Sequence, residues 1–296
     1  MKLTLSALMM GIVVMTTTGL RADTTLFGSI EQGLQVSDNG TSEIVAKGTI
    51  IGAKFDTEVT PATEESSGPY VFGTLSGDVD PTGPNAITTR DAFVGIRTGP
   101  VSLSLGRMPN VQDSISEATV GIFAEGSNLK SVNSTRNSNT AKAQMSLFDG
   151  DVNLVGTTVV DGSDGKDGVD SWEVGYSHSL FGINLVSAYA KDENTGIRTV
   201  LGGATTDIGP VTLGGLYEQD KTSAGETTDS LTAAASIGVY GNTLKGGYQT
   251  IESGAKTYMA EVEHSFNDQT FAFVNGKVID DDVDDKVLTV GFRFTF

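Results

Sequence analysis

Residues able to make and break bonds are sparse in this 296-residue chain. It has two histidines, His178 and His264, and no cysteine. Ser177 and Ser179 flank His178, but neighbours on an extended segment point to opposite faces, so adjacency alone makes no nucleophile–base pair. Neither a His-Glu-x-x-His pattern nor a Gly-x-Ser-x-Gly turn occurs. The lack of Cys removes disulfides, thiolate nucleophiles and Cys-ligated zinc. The sequence therefore reads as a protein that is not an enzyme. Carboxylates are the one abundant chemical group. Asp161, Asp164, Asp167 and Asp170 crowd one polar stretch, and Asp280, Asp281, Asp282 and Asp284 crowd another. Ca²⁺ takes about six to eight oxygens from flexible acids of this kind, which makes the second group a candidate Ca²⁺ site. Neither stretch has the Asp-x-Asp-x-Asp-Gly spacing of an EF-hand, and solvated loop tips are the plainer reading. No other cofactor is expected.

The 37 Asp and Glu outnumber the 19 Lys and Arg, for a formal net charge of −18. Nucleic acid, whose phosphates need cations to neutralise them, is excluded as a partner on that balance. Residues 1–22 read as a secretory signal: Lys2, an apolar run over 3–15, then small residues up to Ala22. Cleavage after Ala22 removes Lys2 and Arg21, makes the exported chain more acidic still, and leaves 23–296 as one domain.

The hydropathy pattern says what must position these groups. After Ala22 no stretch approaches the ~18 uncharged apolar residues of a membrane helix. Period-two alternation dominates instead. Leu26, Gly28, Ile30, Leu34 and Val36 share one face of the first such segment, opposite Phe27, Ser29, Glu31, Gly33 and Gln35. Near the C-terminus, Leu288, Val290, Phe292, Phe294 and Phe296 oppose Thr289, Gly291, Arg293 and Thr295. Turn residues cut the chain into about sixteen strands: 24–37, 43–57, 70–79, 87–97, 101–107, 139–148, 151–160, 170–180, 183–190, 197–208, 211–218, 228–238, 242–250, 256–266, 270–279 and 285–296. Short links alternate with longer polar loops, as an antiparallel barrel with one short-turn rim requires. The seven prolines, at 61, 69, 81, 84, 100, 109 and 210, fall in links or loops, where no ladder N–H is needed. A second face of Gly, Ser, Thr, Lys and Glu suits a watery lumen, with the apolar face turned outward to lipid. Tyr70, Phe148, Phe181, Tyr240, Phe266, Phe271 and Phe296 fall at strand ends on the short-turn side. They are expected to form an interfacial girdle there, with Trp172 an anchor at the other rim.

These segments resemble the trimeric general-diffusion porins of Gram-negative outer membranes. Thr25-Leu26-Phe27-Gly28-Ser29-Ile30 is similar to their first strand, and Ile51-Gly52-Ala53-Lys54-Phe55 to their second. The run from Thr89 to Arg97, a tight turn, and Leu105-Gly106-Arg107 resemble the fourth and fifth. Arg136-Asn137-Ser138-Asn139 resembles the re-entry into the sixth, and Val290-Gly291-Phe292-Arg293-Phe294-Thr295-Phe296 has the family's aromatic ending. The resemblance implies a 16-stranded antiparallel transmembrane β-barrel with an inward-folded third long loop. It implies a homotrimer in the outer membrane, amid lipid and lipopolysaccharide, with Phe292, Phe294 and Phe296 read by the outer-membrane assembly machinery.

The family sets a basic wall against an acidic loop at the narrow point. The matched wall positions are Lys54, Arg90, Arg107 and Arg136. The long segment 108–135 offers Asp113, Glu117 and Glu125 as acids, with Ile115, Val120, Ile122 and Phe123 to pack on the wall. Ser29 and Ile50 stand where relatives are often basic, and the Pro-Glu-Phe-Gly-Gly signature of many constriction loops is missing. The implied function is a water-filled channel for passive diffusion of small hydrophilic solutes and ions, with a mild preference for cations. The alternatives are a substrate-selective channel, and a structural or adhesive surface barrel with a closed lumen.

Overall fold

Extended backbone appears where the alternation asks for it. The computed structural model describes residues 23–38, 40–46, 48–58, 68–80, 87–123, 129, 135–148, 152–160, 169–252, 254–281 and 285–296. The expected signal sequence (1–22), Glu125, Asp161, Asp164, Asp167, Asp282 and Asp284 lie outside the described residues. The strands are β1 (Asp23–Ser37), β2 (Ser42–Val45), β3 (Ile50–Glu58), β4 (Tyr70–Val79), β5 (Ile87–Thr98), β6 (Val101–Pro109), β7 (Arg136–Leu147), β8 (Val152–Val159) and β9 (Ser171–Leu180). They continue with β10 (Ile183–Asp192), β11 (Arg198–Ile208), β12 (Val211–Lys221), β13 (Thr227–Val239), β14 (Asn242–Ile251), β15 (Lys256–Ser265), β16 (Thr270–Asp280) and β17 (Asp285–Thr295). A helix, α1 (Val111–Val120), lies between β6 and β7.

From β3 onward each strand pairs antiparallel with the next, and β17 pairs with β1, so the sheet closes on itself. Both β2 and β3 pair with β1, at opposite ends of it. They are two halves of one barrel strand, and the barrel has sixteen. The single run expected over 43–57 is thus broken near Gly48, whose φ is 74°. Ser29 Oγ donates to the Gly48 carbonyl, while Thr49 Oγ1 accepts from Glu31 N–H and donates to Glu31 C=O. A threonine hydroxyl replaces ladder bonds that the diverging backbone cannot make.

The two faces of the sheet differ sharply. Leu26, Leu34, Val94, Leu103, Leu105, Leu185, Val200, Leu231, Val262, Val290 and Phe292 are 42–65% exposed. Glu31, Ser104, Thr140, Glu173, Glu218, Thr232, Glu261 and Thr289, from the alternate positions, are buried. A water-soluble barrel would bury the first set; an apolar outer band is what lipid demands. Phenylalanines brace the ladder from both faces. Phe27 lies opposite Gly52, Phe55 opposite Gly73, Phe72 opposite Gly95 and Phe273 opposite Gly291. A Cβ on each glycine would stand 2.4–2.7 Å from a ring carbon, so the ring lies on the bare glycine backbone across the strand gap.

Three expectations need correction. Pro109 is the last residue of β6, opposite Arg136 and beyond a register shift, rather than part of a loop. Tyr70 and Phe271 leave the girdle for the inner face: the Arg97 guanidinium sits 5.2 Å from the Tyr70 ring and that of Arg293 5.0 Å from Phe271. Phe148, Phe181, Tyr240, Phe266 and Phe296 stay exposed at the short-turn rim. Phe181 and Tyr240 have φ of 51° and 48°, which tight hairpins before Gly182 and Gly241 require despite the steric cost to a bulky residue. At the opposite rim Trp172 packs 5.3 Å from Tyr189 and donates its indole N–H to Glu193.

The long segment is helical over α1. Asn110 caps it, its Oδ1 accepting from Asp113 N–H at 2.7 Å, and Asp113 places a negative charge in the first turn, where the helix dipole favours it. Val111, Ile115 and Val120 pack with Val186, Ala188, Leu201, Leu216 and Ala234 of β10–β13. Those strand residues alternate with the exposed apolar set. Gly214 lets the helix approach closely, since a Cβ there would lie 1.8 Å from the Thr119 carbonyl oxygen. The other side of α1 exposes Ser114, Glu117 and Ala118.

Candidate functional site

Irregularities in the ladder decide which charges meet. The β4–β5 register shifts between Ser76 and Gly77, which frees Arg90 from the alternation of its strand. Its guanidinium bonds Asp78 at 3.0 Å and lies 3.9 Å from Asp91. Asp91 also receives Arg136 Nε at 3.1 Å, and Arg136 Nη1 reaches Asp113 on α1 at 3.5 Å. Arg136 therefore ties β5, β7 and the helix together. Asp113 is almost closed off, its side chain 7% exposed.

A cavity of about 750 Å³ opens beside this cluster. Arg90, Arg136, Arg293, Ser29, Thr295 and Phe271 line it from the wall, and Asp113, Ser114, Glu117 and Ala118 from α1. Arg293 is held by Glu263, which also bonds Lys245 at 3.2 Å; Lys245 in turn bonds Glu261 at 2.7 Å. Each arginine of the lining thus carries a carboxylate partner, and Glu117 presents its acid on the exposed side of the helix. The helix is held from behind as well. Glu173 of β9 accepts the Val111 N–H at 2.5 Å, which places a carboxylate at the positive end of α1.

The structure brings Arg90, Arg136, Asp113 and Glu117 to one cavity. Lys54 is not part of its lining; the ammonium lies 4.7 Å above the Phe27 ring. Arg107 is not part of it either. Its Nε donates to the carbonyls of Thr89 and Arg90, and its Nη1 to Ser138 Oγ. The register shift after Gly106 turns it away. Arg293 was missed as a site residue although it stands on the polar face of the last strand. The basic wall and acidic segment are also closer than a charge separation across open water would have them, since Arg136 and Asp113 touch. Phe292, Phe294 and Phe296 are exposed on the outer face, the last two rings 6.2 Å apart. Asp280 ends β16 with Asp281 after it, and no group of three or more metal-binding side chains forms among the described residues. Tyr176 hydroxyl and His178 Nδ1 share a hydrogen bond, as do His264 Nδ1 and Asn242 Oδ1.

A family profile described as Gram-negative porin matches residues 5–284. No curated protein sequence matches the chain significantly. Among solved structures, it is similar to the anion-selective porin from Comamonas acidovorans, with TM-score 0.75, 16% identity, and 93% of this chain and 100% of that one covered. OmpF of Salmonella typhi, in complex with daunomycin, gives 0.74 and 16%, covering 94% and 98%. A substituted porin of Rh. blastica gives 0.69 and 19%, covering 93% and 100%.

Proposed function

The chain belongs to the Gram-negative porin family, whose members are outer-membrane channels for passive diffusion, and from that premise we propose that α1 and the wall facing it form the narrow part of its passage. The exposed stripe of Ser114, Glu117 and Ala118 on one side, and Arg90, Arg136 and Arg293 on the other, would sieve small hydrophilic solutes and ions by size and polarity. Export with removal of residues 1–22, assembly as a homotrimer, contact with lipopolysaccharide, and recognition of the terminal aromatics by the assembly machinery complete this reading.

The supporting observation is the inverted barrel: apolar residues exposed outside, charged ones gathered around an inner cavity. A barrel of sixteen strands is too wide for side chains to fill. Charge balance at the cavity favours cations mildly. All three arginines are paired with wall or helix acids, and the acidic surplus of the chain adds a field that salt screens within ~8–10 Å. Reversal potentials in planar bilayers under a KCl gradient test this. The expected sign is cation preference, reduced toward zero by Glu117→Gln. A clear anion preference in the native protein would overturn it.

A further inference from the structure

A second cavity, of about 420 Å³, lies against β4–β7, where the β5–β6 turn marks the short-turn rim. Its lining includes Phe72, Phe93, Arg97, Lys142, Ser102 and Gln144. Pro109, just before α1, lines both cavities, so the two spaces border each other at the entry to the helix. The size falls in the range of about 300–1,000 Å³ typical of small-molecule sites.

Its chemistry is unlike that of the first cavity. There every arginine has a carboxylate partner; here Lys142 has no hydrogen bond or ion pair among the described residues. The acid that acts on it through space is Glu173, whose carboxylate is already engaged by the Val111 N–H. Arg97 adds a second cation, shared with Asp56 at 3.3 Å and still 49% exposed. Two aromatic rings line the same cavity. Phe72 and Phe93 meet edge to face with centroids 6.4 Å apart. The Phe72 ring is fixed on Gly95, where a Cβ would come within 2.6 Å of it. Ser102 and Gln144 add neutral donors to the lining.

We infer that this cavity is a subsite for small aromatic carboxylates, with the acid group on Lys142 and Arg97 and the ring against Phe72 and Phe93. A neutral sugar would leave the Lys142 ammonium without a hydrogen-bonded anion, and an inorganic anion would leave the aromatic wall unused. The inference rests on the open-passage reading, because the subsite would load solutes on their way through. It gives a mildly cation-preferring channel a local foothold for one class of anion.

Sodium benzoate titrated into the purified protein in detergent, followed by calorimetry and by saturation-transfer NMR, tests the subsite directly. Saturable binding is expected, with benzyl alcohol (no charge) at least about tenfold weaker, the scale of one charge-assisted hydrogen bond, and acetate (no ring) about tenfold weaker through the lost aromatic contact. Lys142→Gln should weaken benzoate by about tenfold or more, and Lys142→Arg should restore it. No saturable binding, equal binding of acetate and benzoate, or unchanged affinity in Lys142→Gln would each overturn the inference. The ligand series on the native protein decides the matter even where a variant fails to fold. KCl conductance measured on the same samples separates the two readings: open steps without benzoate binding remove only the subsite, and benzoate binding without open steps removes only the passage.

Discussion

Arg136 joins three elements through two acids, and its loss leaves both Asp91 and the nearly buried Asp113 without that cation. Removing one partner of a poorly hydrated pair costs more than the pair itself contributes. Arg136→Gln is expected to destabilise the barrel by about 1–3 kcal/mol and to loosen α1. Thermal unfolding should shift down and open-channel current should become noisier; unchanged values in both would mean the bridge is idle. A second residue-scale test uses the lone tryptophan. Glu193 lies outside the strands, and its carboxyl is held below its ordinary value of 4.5, chiefly by the Lys191 hydrogen bond and then by the Trp172 indole. A depressed carboxyl pKa means the contact is fully formed at neutral pH and is lost only as pH falls through the lowered value. Trp172 fluorescence should therefore titrate with a midpoint below 4.5. A midpoint at or above that value would show that Glu193 is not held there.

The contact between α1 and the wall makes its prediction through glycine. Gly214→Ala places a methyl against the Thr119 carbonyl at 1.8 Å, so the helix must lift from β12. Overpacking of this kind costs about 1–3 kcal/mol, and single-channel conductance should change. Gly202→Ala is the matched control, since nothing lies within 4 Å of its Cβ position; it should leave conductance unaltered. Equal effects of the two would contradict this packing. Strand positions were legible because a barrel wall in lipid has one apolar face along every strand, and β4 runs over the same residues that alternation marks. What alternation could not carry was irregularity. The break at Gly48, the bulge that delivers Arg90 and the shift that removes Arg107 each change parity at one residue. The sequence offers Ile115 and Val120 only as packing groups of a loop and leaves Val111 unmarked, because ten residues give too short a helical signal to stand out.

Across the whole molecule, the physical statement is an inversion: apolar side chains face outward around a closed sheet, and charges gather within. Site geometry was half legible for the same reason. Asp113 and Glu117 could be named from the long segment and Arg90 and Arg136 only through the family resemblance, whereas Arg293, Arg97 and Lys142 stood on polar faces with nothing in one dimension to show which cavity they would line. Water inside the barrel is the claim on which sieving and ion preference both depend. Single-channel recording of the purified protein in planar lipid bilayers, over a series of KCl concentrations, tests it most directly. The prediction is stable ohmic steps whose conductance rises in proportion to the conductivity of the bulk salt. Reconstituted protein that gives no steps at any concentration would contradict it.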